Sequence, residues 1–153
     1  GRWYVINLNV WDIKKILCFM MFVLLLVSCS KDSGEEVGLT SNYIEVAGVR
    51  HQIDKFVIEN ESEFYIGSKK DGTYISFGYT WYRVPIGEKI YFVETDEELE
   101  YFELVDNYRK CKLTDGSSDS FYLIKKNGDN YIVDIYIGSS KYKTVVHYEG
   151  KMI

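Results

Sequence analysis

Few side chains in this sequence are of a kind that does chemistry, and their spacing limits what they could do. There are three cysteines, Cys18, Cys29 and Cys111, and two histidines, His51 and His147. Cys111 stands between Lys110 and Lys112. Neighbouring cations lower a thiol pKa and would make Cys111 a nucleophile. The alternation over residues 108–113 equally lets it point inward as a small apolar residue. Neither histidine has a second His or a Cys close in sequence, whereas a zinc site needs three or four ligands. Both therefore read as ordinary strand residues on an exposed face, and no metal or cofactor is expected. Glu94, Asp96, Glu97, Glu98 and Glu100 form the densest group of acids. Their spacing does not match an EF-hand loop and lacks its glycine. They read either as a solvated face that keeps the protein soluble or as carboxylates for glycoside hydrolysis. There is no G-x-S-x-G, no phosphate-binding glycine loop and no C-x-x-C pair.

Aromatic side chains are the more unusual resource. The chain has 14 Tyr, 8 Phe and 3 Trp in 153 residues, against 1 Pro. Tyr suits strands, because its ring packs on a pleated surface while its hydroxyl reaches water. Within Tyr79-Thr80-Trp81-Tyr82-Arg83, Tyr79 and Trp81 share one parity. Exposed, Tyr79, Trp81 and Tyr82 would form a stacking platform for a sugar ring or an anchor for an apolar pocket. Buried, Trp81 would simply fill the core of a small domain.

The elements that must position these groups are strands. Residues 43–47 alternate, and residues 49–58 alternate with a parity switch at Asp54-Lys55 that implies a bulge or a turn. Residues 64–66 lead into Lys69-Lys70-Asp71-Gly72, and residues 73–82 resume the β pattern. Asp-Gly between apolar runs is a strong hairpin signal, because glycine supplies positive φ without steric cost. Residues 89–93, 102–105 and 108–113 read as further strands. Thr95 to Glu100 is the one helical turn, with Thr95 as its cap. In residues 121–137, Lys126-Asn127-Gly128-Asp129 joins two strands, the second placing Tyr131, Val133, Ile135 and Ile137 on one face and Asp134 and Tyr136 on the other. After Gly138-Ser139-Ser140-Lys141, Thr144, Val146 and Tyr148 alternate with Val145, His147 and Glu149. Turns recur about every eight to twelve residues, the spacing of a β-sandwich or barrel. The expectation is an all-β antiparallel meander over residues 42–153, forming a sandwich or a small open barrel.

The N-terminal residues read as an address. Lys14-Lys15 precedes an apolar run from Ile16 to Val27, the length of a signal h-region and too short to span a bilayer. Leu26-Val27-Ser28-Cys29 then resembles the lipobox of bacterial lipoproteins: a branched apolar residue, a tolerant position, a small residue and a cysteine. The resemblance implies a helical signal segment over residues 1–28, lipid joined to the Cys29 sulfur, cleavage before Cys29 by signal peptidase II, and a membrane partner held through the acyl chains. Several acyl chains make such an anchor durable. Residues 1–12 lack an initiator Met and do not fit a signal peptide, so the expectation there is a start site set too far upstream or a gene fragment. Residues 29–41 are polar and read as a flexible tether. Ser30 is not the aspartate that retains many lipoproteins in the inner membrane. Glu35-Glu36 loosely resembles the export signal of surface lipoproteins in Bacteroides-type bacteria, which implies the outer membrane, facing the cell surface.

Residues 46–53, 126–135 and 147–151 resemble the opening and closing strands of small lipocalin-like or β-sandwich lipoproteins of the same bacteria. That resemblance implies a lipid-anchored antiparallel β fold and brings no catalytic residues with it. Cys18 lies in the signal segment, so a lipidated Cys29 leaves Cys111 alone, without an intramolecular disulfide partner. Formal net charge is -5; the acidic balance repels phosphate backbones, so nucleic acid is not expected as a partner. The reading is a lipid-anchored envelope protein whose non-enzymatic β domain binds an envelope protein or a glycan. Its alternatives are a small hydrolase or hydrolase inhibitor, in which two carboxylates, or Cys111 with His51 or His147, converge in a cleft, and a lipocalin-like carrier with an apolar cavity.

Overall fold

Short strands of alternating burial, joined by turns with positive φ, build two antiparallel sheets. The computed structural model describes residues 42–153 apart from Asp96 and residues 114–117. The signal segment, the lipobox Leu26-Val27-Ser28, Cys29 and the tether lie outside the described residues. Eleven strands run in chain order: β1 (Tyr43–Val46), β2 (Val49–Gln52), β3 (Lys55–Glu59), β4 (Glu63–Ser68), β5 (Thr73–Tyr79), β6 (Lys89–Tyr91), β7 (Leu99–Asp106), β8 (Arg109–Lys110), β9 (Phe121–Asn127), β10 (Asn130–Ile137) and β11 (Thr144–Gly150). A six-stranded sheet has the order β2-β1-β11-β10-β9-β6, and a five-stranded sheet the order β3-β4-β5-β7-β8.

The expected all-β antiparallel architecture is therefore present, as a sandwich-like pair of sheets and not a closed barrel. It is not one meander. β3-β4-β5 and β9-β10-β11 are consecutive hairpins, but β11 returns to pair with β1, and β6 reaches across to β9. The parity switch at Asp54-Lys55 is not a bulge within one strand but a break between two: β2 belongs to one sheet and β3 to the other, and the chain changes sheet over Ile53 and Asp54.

Turn chemistry accounts for the tight connections. Ala47-Gly48 has φ of 50° and 84° and joins β1 to β2 with Val46 opposite Val49, the doubly positive conformation that matches strand twist. Gly128 opens the β9–β10 turn at φ 61°. After Thr95 no helix forms among the described residues, but one hydrogen-bonded turn does: the Glu98 and Leu99 amides donate to Thr95 O, while the Thr95 hydroxyl donates back to Phe92 O instead of capping that turn. A single 3-10 turn occupies Phe92–Glu94 with Thr95 at its C-terminal end, and β7 already begins at Leu99. Residues 108–113 yield only the two-residue β8.

The inner faces interlock as an aromatic core. Phe64 stacks on Phe77 at 4.6 Å between ring centroids, Phe77 meets Tyr122 across the sheets at 4.9 Å, and Phe56 meets Tyr148 and Tyr131 at 5.1 and 5.4 Å. Tyr131, Val133, Ile135 and Ile137 are all buried, as their period-two spacing requires.

Candidate ligand-binding face

The residues singled out in the sequence do not converge. Tyr79 and Trp81 do not share a face, because β5 ends at Tyr79. Tyr79 is a core residue whose hydroxyl meets that of Tyr122 at 2.5 Å. Burial pushes both phenols above their ordinary range. The chain then turns away, tied by the Tyr79 amide to Ser62 O and the Val84 amide to Glu61 O. Trp81 is 88% exposed on this loop, so it does not fill the core, and Tyr82 is exposed beside it. Glu94, Glu97, Glu98 and Glu100 are exposed. Burial and the nearby Asp106 carboxylate raise the Cys111 pKa, so the cations on either side do not make it a ready thiolate. Among the described residues, no group of three or more His, Cys, Asp or Glu could hold a metal ion.

Both histidines are more constrained than lone exposed strand residues. His51 has a side chain only 10% exposed; its Nδ1 donates to Asp71 Oδ2 at 2.9 Å, and its buried Nε2 lies 3.9 Å from Asp106 Oδ1 without a hydrogen bond. That imidazole hydrogen bond, more than any other influence, lowers the Asp71 pKa. His147 Nδ1 donates to Asp134 Oδ1 at 2.6 Å.

The His147–Asp134 pair sits in the middle of the most developed surface of the molecule, the outer face of the six-stranded sheet. Antiparallel register lines up two rows across β1, β11, β10, β9 and β6. One runs Tyr43, His147, Asp134, Leu123, Lys89; the other runs Glu45, Val145, Tyr136, Phe121, Tyr91. At about 4.8 Å between strands, each row spans about 19 Å. In the second row, Tyr136, Phe121 and Tyr91 form a ladder with centroids 6.1 and 6.2 Å apart. Lys89 Nζ lies 3.9 Å from the Phe121 ring centre. At the far edge, Arg50 lies 4.0 Å over the Tyr43 ring while its guanidinium pairs with Glu45 at 2.7 Å. Over the rows, from Tyr43 to Lys89 in the first and from Val145 to Phe121 in the second, lies an open hollow of about 460 Å³, within the size range of ligand sites.

An outward face of an antiparallel sheet is ordinarily polar. Here Tyr43, Val145, Tyr136, Phe121 and Leu123 are all half-buried by one another, leaving an apolar floor crossed by a carboxylate, an imidazole and an ammonium. Such a floor can stack on the apolar side of a flat ring and offer hydrogen bonds at its rim. None of its aromatic residues was among the sequence candidates. The signal was present in the parity opposite the core, where Tyr136, Phe121 and Val145 stand at positions that a solvated face would give to charge. No family model, curated protein or solved structure matches the chain.

Proposed function

We propose that this protein is a non-enzymatic, lipid-anchored recognition module of the bacterial cell envelope. Its outer-face aromatic rows bind glycan chains. The ladder Tyr136-Phe121-Tyr91, running beside the Asp134–His147 pair, carries the reading. A pyranose ring has an apolar C–H face and a rim of hydroxyls. Aromatic rings accommodate the face and charged hydrogen-bonding groups the rim. A row of rings, not one ring, suits a ligand with repeating units. The half-buried rings are already held in place by their neighbours, so little rotamer freedom is lost on binding.

Catalysis finds less support on this face. Glycoside hydrolysis needs a pair of free carboxylates, and of the two carboxylates in the rows Asp134 is engaged by His147 and Glu45 by Arg50. The anchor follows from the lipobox resemblance: Cys29 as first residue of the mature chain, acylated, with the outer membrane as the site of attachment and the domain at the cell surface.

Titration of the isotope-labelled full-length protein in detergent micelles with soluble neutral oligosaccharides tests the binding. Resonances of Tyr43, Tyr136 and His147 should move together, and Phe121→Ala should raise Kd about tenfold, the loss typical of a central interface aromatic. Unmoved resonances on this face across the panel, or release of new reducing ends, would refute the reading. Mass spectrometry of the native protein tests the anchor independently; a chain beginning at Cys29 with added acyl mass is expected.

A further inference from the structure

The opposite outer face, on the five-stranded sheet, carries a second aromatic hollow of different chemistry. Its floor is the stacked pair Tyr65 and Tyr74, with ring centroids 4.8 Å apart. Tyr101 extends the floor by lying across Gly78, where an added Cβ would come within 2.6 Å of the Tyr101 ring. The open volume is about 370 Å³. Burial, reinforced by the charge of Asp54, holds the Tyr65 hydroxyl at about 12; it stays a neutral donor at any physiological pH.

The charged side chains that line this floor differ between its two ends, and the Asp54 carboxylate, which accepts from the Lys69 and Lys70 amides, stands beside the basic end. Lys55 opens β3 and Lys69 follows β4, at one end of the hollow. Glu59 closes β3 and Glu63 opens β4, at the other. Lys55 and Glu59 are four residues apart on one strand, about 13 Å at the rise of a β-strand. Among the described residues, none of these four charges lies within salt-bridge distance of an opposite charge. Glu59 and Glu63 are direct cross-strand partners, an arrangement of like charges that destabilises a sheet. A bound cation would relieve it. Some other charges of the domain are paired locally, as in Lys110–Glu103 and Arg83–Glu61.

We infer that this hollow binds a short, extended peptide with free ends, its carboxylate between Lys55 and Lys69 and its ammonium between Glu59 and Glu63. An extended tripeptide is about 10 Å long, about 3 Å short of the separation of the two charged ends, a gap that the flexible Lys and Glu side chains span by leaning inward. The tyrosine floor packs against its backbone and small side chains, with the Tyr65 and Ser76 hydroxyls turned to its amides. The site does not depend on the glycan face: the two hollows lie on different sheets and share no residue.

The test uses the full-length protein in detergent micelles, tyrosine-labelled for NMR, titrated with trialanine, N-acetyl-trialanine and trialanine amide. Trialanine should shift Tyr65, Tyr74 and Tyr101 and leave Tyr43 and Tyr136 unmoved. Blocking either terminus should weaken binding about three- to fivefold, the scale of one partly exposed ion pair. In Glu59→Gln/Glu63→Gln the preference over the acetylated peptide should vanish while the preference over the amide persists; Lys55→Gln/Lys69→Gln should do the reverse. Equal affinity for free and blocked peptides, shifts confined to other tyrosines, or no shift at tens of millimolar peptide would each overturn the inference. A neutral oligosaccharide moving the same three tyrosines would overturn it too, since the charges at the two ends would then have no role.

Discussion

The Tyr79–Tyr122 contact shows what a single position contributes and why its role was hidden. Each ring is buried, one on β5 and one on β9, and each hydroxyl finds its partner in the other sheet. Removing one hydroxyl leaves the other buried with a lost partner, which costs about 1–3 kcal/mol, whereas removing both lets apolar surfaces meet. Tyr79→Phe and Tyr122→Phe should therefore each lower the unfolding free energy by about 1–2 kcal/mol, and the double variant by less than their sum. Chemical denaturation of the four proteins measures the coupling; additive losses would show that the hydroxyls act separately. Sequence alone could not separate Tyr79 from Trp81, because period two reports which residues share a side of a strand and not where the strand stops. Trp81→Ala, at a fully solvated ring, should change stability by no more than about 0.5 kcal/mol.

Asp71 gives a pH-dependent expectation at the same scale. Its folded pKa is lowered, first by the hydrogen bond from His51. A depressed carboxylate contributes stability that is fully present above its unfolded value of about 3.9 and is lost as pH falls through the folded value. Asp71→Asn should thus melt lower than the parent at pH 5, and the gap should narrow steadily below pH 4. Thermal melts across that range check the sign; a gap that widened on acidification would mean that the aspartate is not the group being held.

At the scale of elements, hairpins were the legible part. Asp71-Gly72 and Asn127-Gly128 mark turns because each glycine sits at positive φ, 62° and 61°, where a side chain meets its own backbone. Their surroundings differ. A Cβ on Gly128 would meet nothing within 4 Å, while one on Gly72 would fall 2.5 Å from the Tyr108 ring, which is pinned by its hydroxyl to Lys70 O and by its amide to Gly72 O. Gly128→Ala should cost about 1 kcal/mol from backbone strain alone, and Gly72→Ala clearly more, since the ring must also leave. Equal losses in urea denaturation would mean that the Tyr108 contact is not rigid. The less legible elements were those whose length depends on a distant partner. β8 pairs for only two residues, and the turn closed on Thr95 O by the Glu98 and Leu99 amides does not grow into a helix, because Leu99 is already claimed by β5 through its pairing with Tyr79. Local propensity favours a helical start at such a threonine; the sheet overrides it.

At the scale of the whole molecule, alternation identified the inner faces and left open how the strands divide into sheets. Three hairpin strands read alike whether they close a barrel or split into a sandwich, and the chain's transfer between sheets at Ile53-Asp54 carried only a parity switch as its sign. The aromatic outer faces were hidden for a related reason: apolar residues at outward parity read as noise until register sets them side by side.

The same division into two sheets raises the question of what holds one to the other beyond the apolar core. The end of the chain offers one answer. β11 belongs to the six-stranded sheet, yet the residues after it run along β3 at the edge of the five-stranded sheet. Ile153 exchanges both backbone hydrogen bonds with Phe56, at 2.9 and 3.1 Å, the Ile58 amide lies 3.3 Å from the Met152 sulfur, and the Tyr148 hydroxyl donates to Lys151 O. This strip ties the sheets together and covers a strand edge that would otherwise be free to pair. Deleting residues 151–153 removes about two net backbone hydrogen bonds, worth about 1–3 kcal/mol together, and uncovers the amides of Phe56 and Ile58. The truncated protein should unfold at lower urea and should self-associate in sedimentation velocity at concentrations where the parent stays monodisperse relative to it. Replacing Met152 with Ala, which keeps the backbone in place, should lower stability far less and should not promote association. If the truncation destabilised without association, β3 would be protected by its own charges, Lys55 and Glu59, and the strip would serve only as a tie between the sheets.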